Sequence, residues 1–387
     1  MFSNVIPFIA FVLIFWLISQ FDVFCISISS LQRRFLLLVA LCLLIIFAGC
    51  RWSAYEVGYD LNVFDYGTYK NIYNSPLNIL NFWEEYSSSN FEIKAQEPGY
   101  VFYSSLCHVF LGNNFNVYLL FTNFILIVLF YKSLINNEIK NCYLLLFFFF
   151  ASRLYLQYNF ILLRQAISIS IIWFWGFPYV VEKKYVKYCL VVFFASLFHF
   201  TALISLLALF FNRKINAKLF ICLIAISIFI SITGLADRML LLLMQSGVSM
   251  IGVSDGIGEK LAKYISDDES RKLNILTFVE AIPFGYIAMK FKNELCSTRW
   301  GRFYHNMFYI FILLLALTMN FGFLTRACQY FMFSYFFLLA FYFQIKKVNS
   351  HKKIFLFVLS FYFLVYSIRY IFIWFYDTKY SFFLFNS

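Results

Sequence analysis

The sequence predicts an all-α, polytopic integral membrane protein, and three observations carry that prediction. Of its 387 residues, 63% are hydrophobic and only 13% are charged. An ordinary soluble domain runs at about 45–50% and about 25%. The excess falls in repeated blocks of 16–24 residues, close to the roughly 20 that a helix needs to cross a bilayer. The apolar blocks are also continuous rather than alternating at a period of two, which excludes a β-barrel.

The elements follow in order. The first block, "VIPFIAFVLIFWLIS" (Val5–Ser19), has no basic residue before it and no small-residue cleavage site after it, so it reads as a retained span rather than a signal peptide. Further spans are predicted at 35–50, 115–133, 142–156, 161–180, 219–236, 273–290, 303–321, 327–345 and 354–375, the first running over 4–20. Two segments fit less simply. "GYVFYSSLCHVF" (99–110) is short for a crossing, and the 188–211 segment has basic loops at both ends. A re-entrant pair of half-helices turning near His199 resolves the second, which is permitted at membrane depth only where protein or a watery cavity surrounds it. The alternative places one flanking loop outside. The chain then reads as one membrane domain, 1–387, of about 10–12 transmembrane helices.

Charge orients it. Six basic loops, 32–34, 131–141, 182–187, 212–218, 290–302 and 346–353, hold 18 of the 31 Lys and Arg residues. Basic residues accumulate on the cytoplasmic side of membrane proteins, so the net charge of +12 calls for no nucleic-acid partner. Two long polar stretches, 51–98 and 237–272, hold 13 of the 19 acids and face outward. The second contains a short amphipathic stretch, Glu259–Asp268. The nine cysteines lie mostly in apolar segments without a C-x-x-C, the pattern of small buried hydrophobes rather than a disulfide frame or metal site.

On this topology, charged residues from separated positions point to the outer face. Arg51 sits where the second span exits. Arg153 and Arg164 flank a tight outward turn between two successive spans. Arg326 enters the ninth span from the same face, Asp60 and Glu97 belong to the first outer loop, and His199 approaches from below. A single Arg at a helix end ordinarily snorkels to the headgroups, Glu97 before Pro98 could serve as a helix cap, and a lone His is ordinarily a core residue. Glu280, beside Pro283, could bond a backbone group freed by a proline kink. Together, guanidiniums with few compensating acids make a site for a multiply charged anion, because Arg binds phosphate bidentately and keeps its charge. The outer loop adds Tyr55, Tyr59, Tyr66, Tyr69, Tyr73, Trp83 and Tyr86, aromatic faces that suit sugar rings, although interfacial aromatic belts use the same residues.

In order, "RWSAYEVGYDLNVFDYGTYKNIYN" (51–74), "EPGYVFYSSL" (97–106), "NFILLRQAISISIIWF" (159–174), "KKYVKYCLVVFFASLFHFTALI" (183–204) and "TRACQYF" (325–331) resemble the EpsG/Wzy-type polysaccharide polymerase family. The family's common "VGTD" stands here as "VGYD" (57–60). The resemblance implies a GT-C-like glycosyltransferase of the bacterial inner membrane. It would join undecaprenyl-pyrophosphate-linked oligosaccharide repeat units, as donor and acceptor, at the periplasmic face. Surface polysaccharides such as O-antigen, capsule or exopolysaccharide would be the product, and whether a chain-length regulator protein joins in is left open. Arg51, Asp60, Glu97, Arg164, His199 and Arg326 are the positions that match the family's recurring residues.

The chemistry expected of these residues is glycosyl transfer from a lipid pyrophosphate. No Asp-x-Asp metal motif is present, since "SDDE" (266–269) lacks the spacing, so neither a metal nor another cofactor is expected. Fixed guanidiniums of Arg51, Arg164 and Arg326, with Arg153 nearby, would hold the leaving pyrophosphate where its charge develops. Glu97, His199 or Asp60 would deprotonate or orient the acceptor hydroxyl. The competing readings are a flippase or transporter for lipid-linked sugars, which usually shows related halves that are not seen here, and another membrane glycan ligase or acyltransferase. His199 lacks the adjacent Asn or Asp partner common in acyltransferases.

Overall fold

A computed structural model of the protein describes residues 5–52, 66–94, 96–136, 142–210, 213, 215–233, 235, 275–318, 325–344, 350–378 and 381–382. The body is helical. α1 (Val5–Val23) and α2 (Ser30–Gly49) form the first pair. α2 opens on a capping box, in which Ser29 Oγ accepts from the Gln32 N–H at 3.2 Å and Gln32 Oε1 accepts from the Ser29 N–H at 3.0 Å. That exchange satisfies two donors a helix start would otherwise leave bare. A two-residue strand, β1 (Arg51–Trp52), follows and pairs antiparallel with β2 (Ser381–Phe382), Arg51 opposite Phe382. This is the one sheet among the described residues.

Short helices α3 (Tyr66–Asn74), α4 (Phe82–Ser88) and α5 (Phe91–Lys94) lead into α6 (Pro98–Leu111) and the long α7 (Phe115–Asn136). α6 ends at Gly112, whose φ of +69° suits a residue without Cβ. Its carbonyl accepts from the Tyr73 hydroxyl at 2.5 Å. α8 (Cys142–Ala151) is apolar on every side, and Leu144 through Phe150 are all buried, as an all-round hydrophobic helix requires. It lies against α1 and α2. Its N-terminus receives the carboxylate of Asp22, whose Oδ2 accepts from the Leu144 N–H at 3.0 Å, a favourable place for negative charge.

The middle of the chain departs from straight helices. After a 68° bend at Ser152, α9 (Arg153–Leu156) runs into a π-helical turn, Gln157–Ile161. The tight turn predicted between spans 142–156 and 161–180 is therefore a wide helical turn, with the sharp bend displaced toward Arg153. α10 (Leu163–Ile171) continues through a second π turn, Ile172–Gly176, into α11 (Phe177–Val181). α12 (Tyr185–Ser196) then breaks, His199 stands extended at φ −159° and ψ 119°, and a 3-10 helix, Phe200–Leu209, follows. The sequence placed a break near His199. Two packed half-length helices on either side of it are what the structure contains.

α13 (Ala217–Ile232) precedes α14 (Ile275–Lys290), α15 (Lys292–Ser297) and α16 (Arg299–Leu317). α17 (Thr325–Cys328) passes through a 3-10 turn, Gln329–Phe331, into α18 (Phe333–Gln344), and α19 (Ser350–Thr378) completes the body. α19 packs on α1 and α8, α13 on α16, and α16 on α18. Stacked aromatic pairs fill the seams, among them Phe220 with Tyr309 at 3.8 Å and Phe284 with Tyr335 at 4.0 Å between ring centres.

Among the described residues, three helical segments are long and apolar enough to cross a membrane: Ser30–Gly49, Phe115–Asn136 and His351–Arg369. The bent pair Tyr143–Ala151 and Leu154–Ile161 makes a fourth if taken as one span. Several of the other apolar blocks form shorter or interrupted helices among the described residues. α13 and α14 have 16 residues each, the 161–180 block contains a π turn, and the 327–345 block contains a 3-10 turn. The outer stretch 237–272, with its amphipathic segment, lies outside the described residues.

Candidate active site

The site begins with four residues, Glu97-Pro98-Gly99-Tyr100, at the start of α6. Pro98 occupies the first helical turn, where its missing N–H is no loss. Glu97 holds the N-cap position but makes no side-chain cap bond. Its carboxylate turns away instead. Oε2 accepts from Arg164 Nη1 at 2.5 Å, and Oε1 faces the Phe200 N–H at 3.4 Å.

Gly99 makes this approach feasible. Its N–H donates to the Leu197 carbonyl at 2.9 Å. A Cβ on Gly99 would stand 2.8 Å from that oxygen and 2.9 Å from its carbon. The start of α6 is thus seated directly on the break between α12 and the 3-10 helix, with room for backbone only. Tyr100 behind it is fully buried and its hydroxyl accepts from the Tyr118 hydroxyl at 3.0 Å.

Arg164 stands in the first turn of α10. Its side chain is 16% exposed and that of Glu97 21%, so the pair is screened from bulk solvent without being sealed. The guanidinium carbon lies 6.0 Å from the centre of the Tyr69 ring, within cation–π reach. The Tyr69 hydroxyl in turn donates to the Ile161 carbonyl at 3.0 Å, which anchors α3 to the π turn that leads into α10. Burial pushes the Glu97 carboxyl up, but the Arg164 guanidinium and then His199 pull it down further, and the net result is a carboxyl below its ordinary range.

His199 sits on the break itself. Its Nδ1 is 2.7 Å from Thr201 Oγ1 and receives the Thr201 N–H at 3.4 Å. Thr201 Oγ1 donates to the Tyr330 hydroxyl at 3.2 Å, and Tyr330 donates to Ser168 Oγ at 3.1 Å. Tyr330 and Ser168 are both buried. The TRACQYF segment is therefore tied to both α10 and the 3-10 helix. A second tie runs from Gln165 Nε2 to the Arg326 carbonyl at 2.7 Å, and a third from Trp173 Nε1 to the Tyr330 carbonyl at 2.8 Å. Such side-chain bonds satisfy carbonyls that a 3-10 turn leaves without helical partners, a requirement at membrane depth.

Glu97, Arg164 and His199 therefore meet at one place from three separated segments, and Arg326 is joined to it through its backbone. The Arg326 side chain is exposed. Arg51 enters the structure as a strand residue paired with Phe382, and Arg153 opens α9; their side chains lie outside the described residues, as does Asp60 altogether. Glu280 is fully buried elsewhere, beside a small cavity lined by Phe148, Ser152, Phe284 and Tyr335.

The outer aromatic set divides. Tyr66, Tyr69 and Tyr73 are buried and serve as core, which corrects their reading as sugar-facing residues. Trp83 is 68% exposed and Tyr86 stacks on Phe82. Tyr55 and Tyr59 lie outside the described residues. Sequence reasoning missed Thr201, Tyr330, Ser168 and Gln165. Hydroxyl and amide side chains are unremarkable in apolar helices, and the one available signal was adjacency: Gln165 follows Arg164, and Thr201 is two residues from His199. Among the described residues no three His, Cys, Asp or Glu side chains gather as a metal ion would require.

The family model described as the EpsG family matches residues 34–387, a range that includes every residue of this site. No curated protein and no solved structure matches the chain.

Proposed function

The chain belongs to the EpsG family, and on that premise we propose that it is a membrane glycosyltransferase that polymerises undecaprenyl-pyrophosphate-linked oligosaccharide repeat units. The reaction takes place at the periplasmic face of the bacterial inner membrane, in a GT-C-like helical body. Membership of the family and the apolar helices place the protein among membrane components of polysaccharide biosynthesis. The observation that supports the finer reading is the meeting of Glu97, Arg164 and His199 where α6 rests on the α12 break.

In the proposed reaction the acceptor hydroxyl oxygen attacks the donor's anomeric carbon. A glycosidic C–O bond forms, the bond from that carbon to the pyrophosphate oxygen breaks, and the electron pair leaves on the lipid pyrophosphate. Arg164, with Arg326 and Arg51 assisting and Arg153 nearby, stabilises that departing charge, which preorganised guanidiniums do without reorganisation cost. The acceptor proton passes to His199. Glu97 is the weaker base of the two, because a carboxylate held down by a guanidinium at 2.5 Å has little appetite for a proton. It orients Arg164 instead. Asp60 is assigned to the acceptor side by its match to the family motif.

The test is polymer length made by Arg164→Ala and Arg164→Lys variants that insert normally. Loss of long chains in both supports the reading, and undiminished chains from both overturn it. Liposomes carrying the lipid-linked oligosaccharide in a single leaflet separate polymerase from flippase. A polymerase lengthens the glycan there, whereas a flippase only redistributes it.

A further inference from the structure

α6 has 14 residues, roughly 21 Å at the usual helical rise, which is too short to cross a hydrocarbon core of about 30 Å. Yet one of its faces is apolar and uncovered. Phe102, Val109 and Phe110 are exposed, whereas Tyr100, Ser104 and Cys107 on the other side are buried. Just ahead of α6, Leu80 is 92% exposed and Trp83 stands out from α4. An isolated exposed apolar residue is ordinary, but a contiguous group of large ones marks a surface with a partner.

Continuity and depth identify that partner. Phe82 packs edge-on against both Trp83 and Phe102, with ring centres 5.4 and 5.2 Å apart, so the outward face of α4 runs onto that of α6. The Leu77 N–H donates to Ser105 Oγ at 3.0 Å, which fixes the turn carrying Leu80 to the same helix. Beyond the Gly112 turn the exposed stripe passes to Val117, Phe121 and Phe124. These lie on one face of α7, a segment long and apolar enough to cross a membrane. Depth follows from the bonds between the two helices. Tyr100 and Tyr103, close on either side of Phe102, reach Tyr118 and Thr122 at 3.0 Å each. Those partners stand three and seven residues into α7, about 5 and 10 Å from its start. Interfacial helices sink their apolar faces to that depth.

We propose that the Leu80 turn, α4 and the exposed face of α6 form a platform embedded in the bilayer surface at which α7 begins, with phospholipid covering it. Trp83 suits that level, because indole joins an apolar body to one N–H. Glu85, on the opposite side of α4, turns back to accept from the Asn78 N–H at 2.7 Å. A glycan is the rival occupant, and Leu80 speaks against it, since an aliphatic side chain has no ring face to offer a sugar. The platform also bears on the candidate site. Tyr86, on the same short helix, donates to the Gln96 carbonyl at 2.7 Å, one residue before Glu97. Anchoring α4 in lipid therefore sets the depth of the Glu97 carboxylate relative to the headgroups. The anchoring is independent of the reaction proposed above.

The experiment uses the full-length protein in liposomes of phosphatidylethanolamine and phosphatidylglycerol. Subtracting the emission of Trp83→Phe from that of wild type isolates Trp83 among the seven tryptophans. The expected result is loss of most of this emission when the lipid carries a spin label near its headgroup, less loss with a label near the acyl terminus, and little with aqueous iodide. Leu80→Asp should reverse the order of lipid and iodide. Quenching by iodide but not by lipid overturns the proposal, and protection from iodide by added oligosaccharide would assign the surface to sugar instead. Shielding from both quenchers would assign it to a second protein chain and overturns the proposal equally. Should Trp83→Phe not insert, wild type irradiated with a photoactivatable phospholipid decides. Adducts on Leu80, Trp83 or the Phe102–Phe110 stretch support the platform, and adducts confined to the long spans overturn it.

Discussion

Glu97 Oε2 and Arg164 Nη1 stand 2.5 Å apart, across 67 residues of sequence. The contact joins the first turn of one helix to the first turn of another, and both turns border the broken segment that carries His199. Its chemistry is a charge-assisted hydrogen bond, roughly twice as strong as a neutral one, in a place that water reaches only partly.

Replacing Glu97 by Gln keeps the shape and removes the charge. Arg164 then loses its orienting partner while its own charge stays half-buried, which is the costly way to break an ion pair. The expected outcome is a lower melting temperature in detergent and shorter polymer. Arg164→Lys retains charge but not the planar fork, and turnover should drop by about 10²–10³-fold, as for loss of one preorganised donor.

The same pair predicts a pH dependence with a definite sign. The Glu97 carboxyl is held below its ordinary range in the folded protein, so its contribution is fully present above the unfolded value of about 4.3. It is lost as pH falls through the lower folded value. Thermal melts of wild type and Glu97→Gln should therefore differ by a constant amount from neutrality down to about 4.3, draw together below that, and coincide once pH is under the lower folded value. A difference that already shrinks near neutrality would contradict the pairing.

Gly99→Ala tests the seat of α6. The new methyl would meet the Leu197 carbonyl carbon and oxygen at 2.9 and 2.8 Å, and backbone cannot rotate aside as a side chain can. Overpacking of this kind costs about 1–3 kcal/mol. Both the melting temperature and chain length should fall, and Leu197→Ala in the same molecule should restore neither.

Tyr69 separates ring from hydroxyl. Tyr69→Phe keeps the face toward Arg164 and loses the bond to the Ile161 carbonyl, for about 1 kcal/mol of stability. Tyr69→Ala loses both and opens a cavity at a fully packed position, so its melting temperature should fall by several times as much.

Much of the helical plan was legible in hydropathy, because a bilayer forces long apolar runs into helices. The breaks were less so. A π turn at Gln157–Ile161 has the same composition as the helix around it, and the bend at Ser152 follows no proline or glycine. Arg164 and His199 stood out because charge is expensive in their apolar surroundings, and Glu97 because it stands directly before Pro98-Gly99. Thr201 and Tyr330 did not, since a threonine hydroxyl in such a helix commonly bonds its own backbone and a tyrosine in an apolar run reads as core. Tyr66, Tyr69 and Tyr73 misled for the converse reason. A tyrosine in a polar loop looks surface-bound, yet all three rings are buried, and the hydroxyls of Tyr69 and Tyr73 reach the Ile161 and Gly112 carbonyls.

The short ladder between Arg51–Trp52 and Ser381–Phe382 makes the tail of the chain a witness to sidedness. Whichever compartment holds Ser381 must also hold Trp52, so a reporter fused downstream of Phe382 would reveal where the first polar excursion emerges, without any label being placed within it.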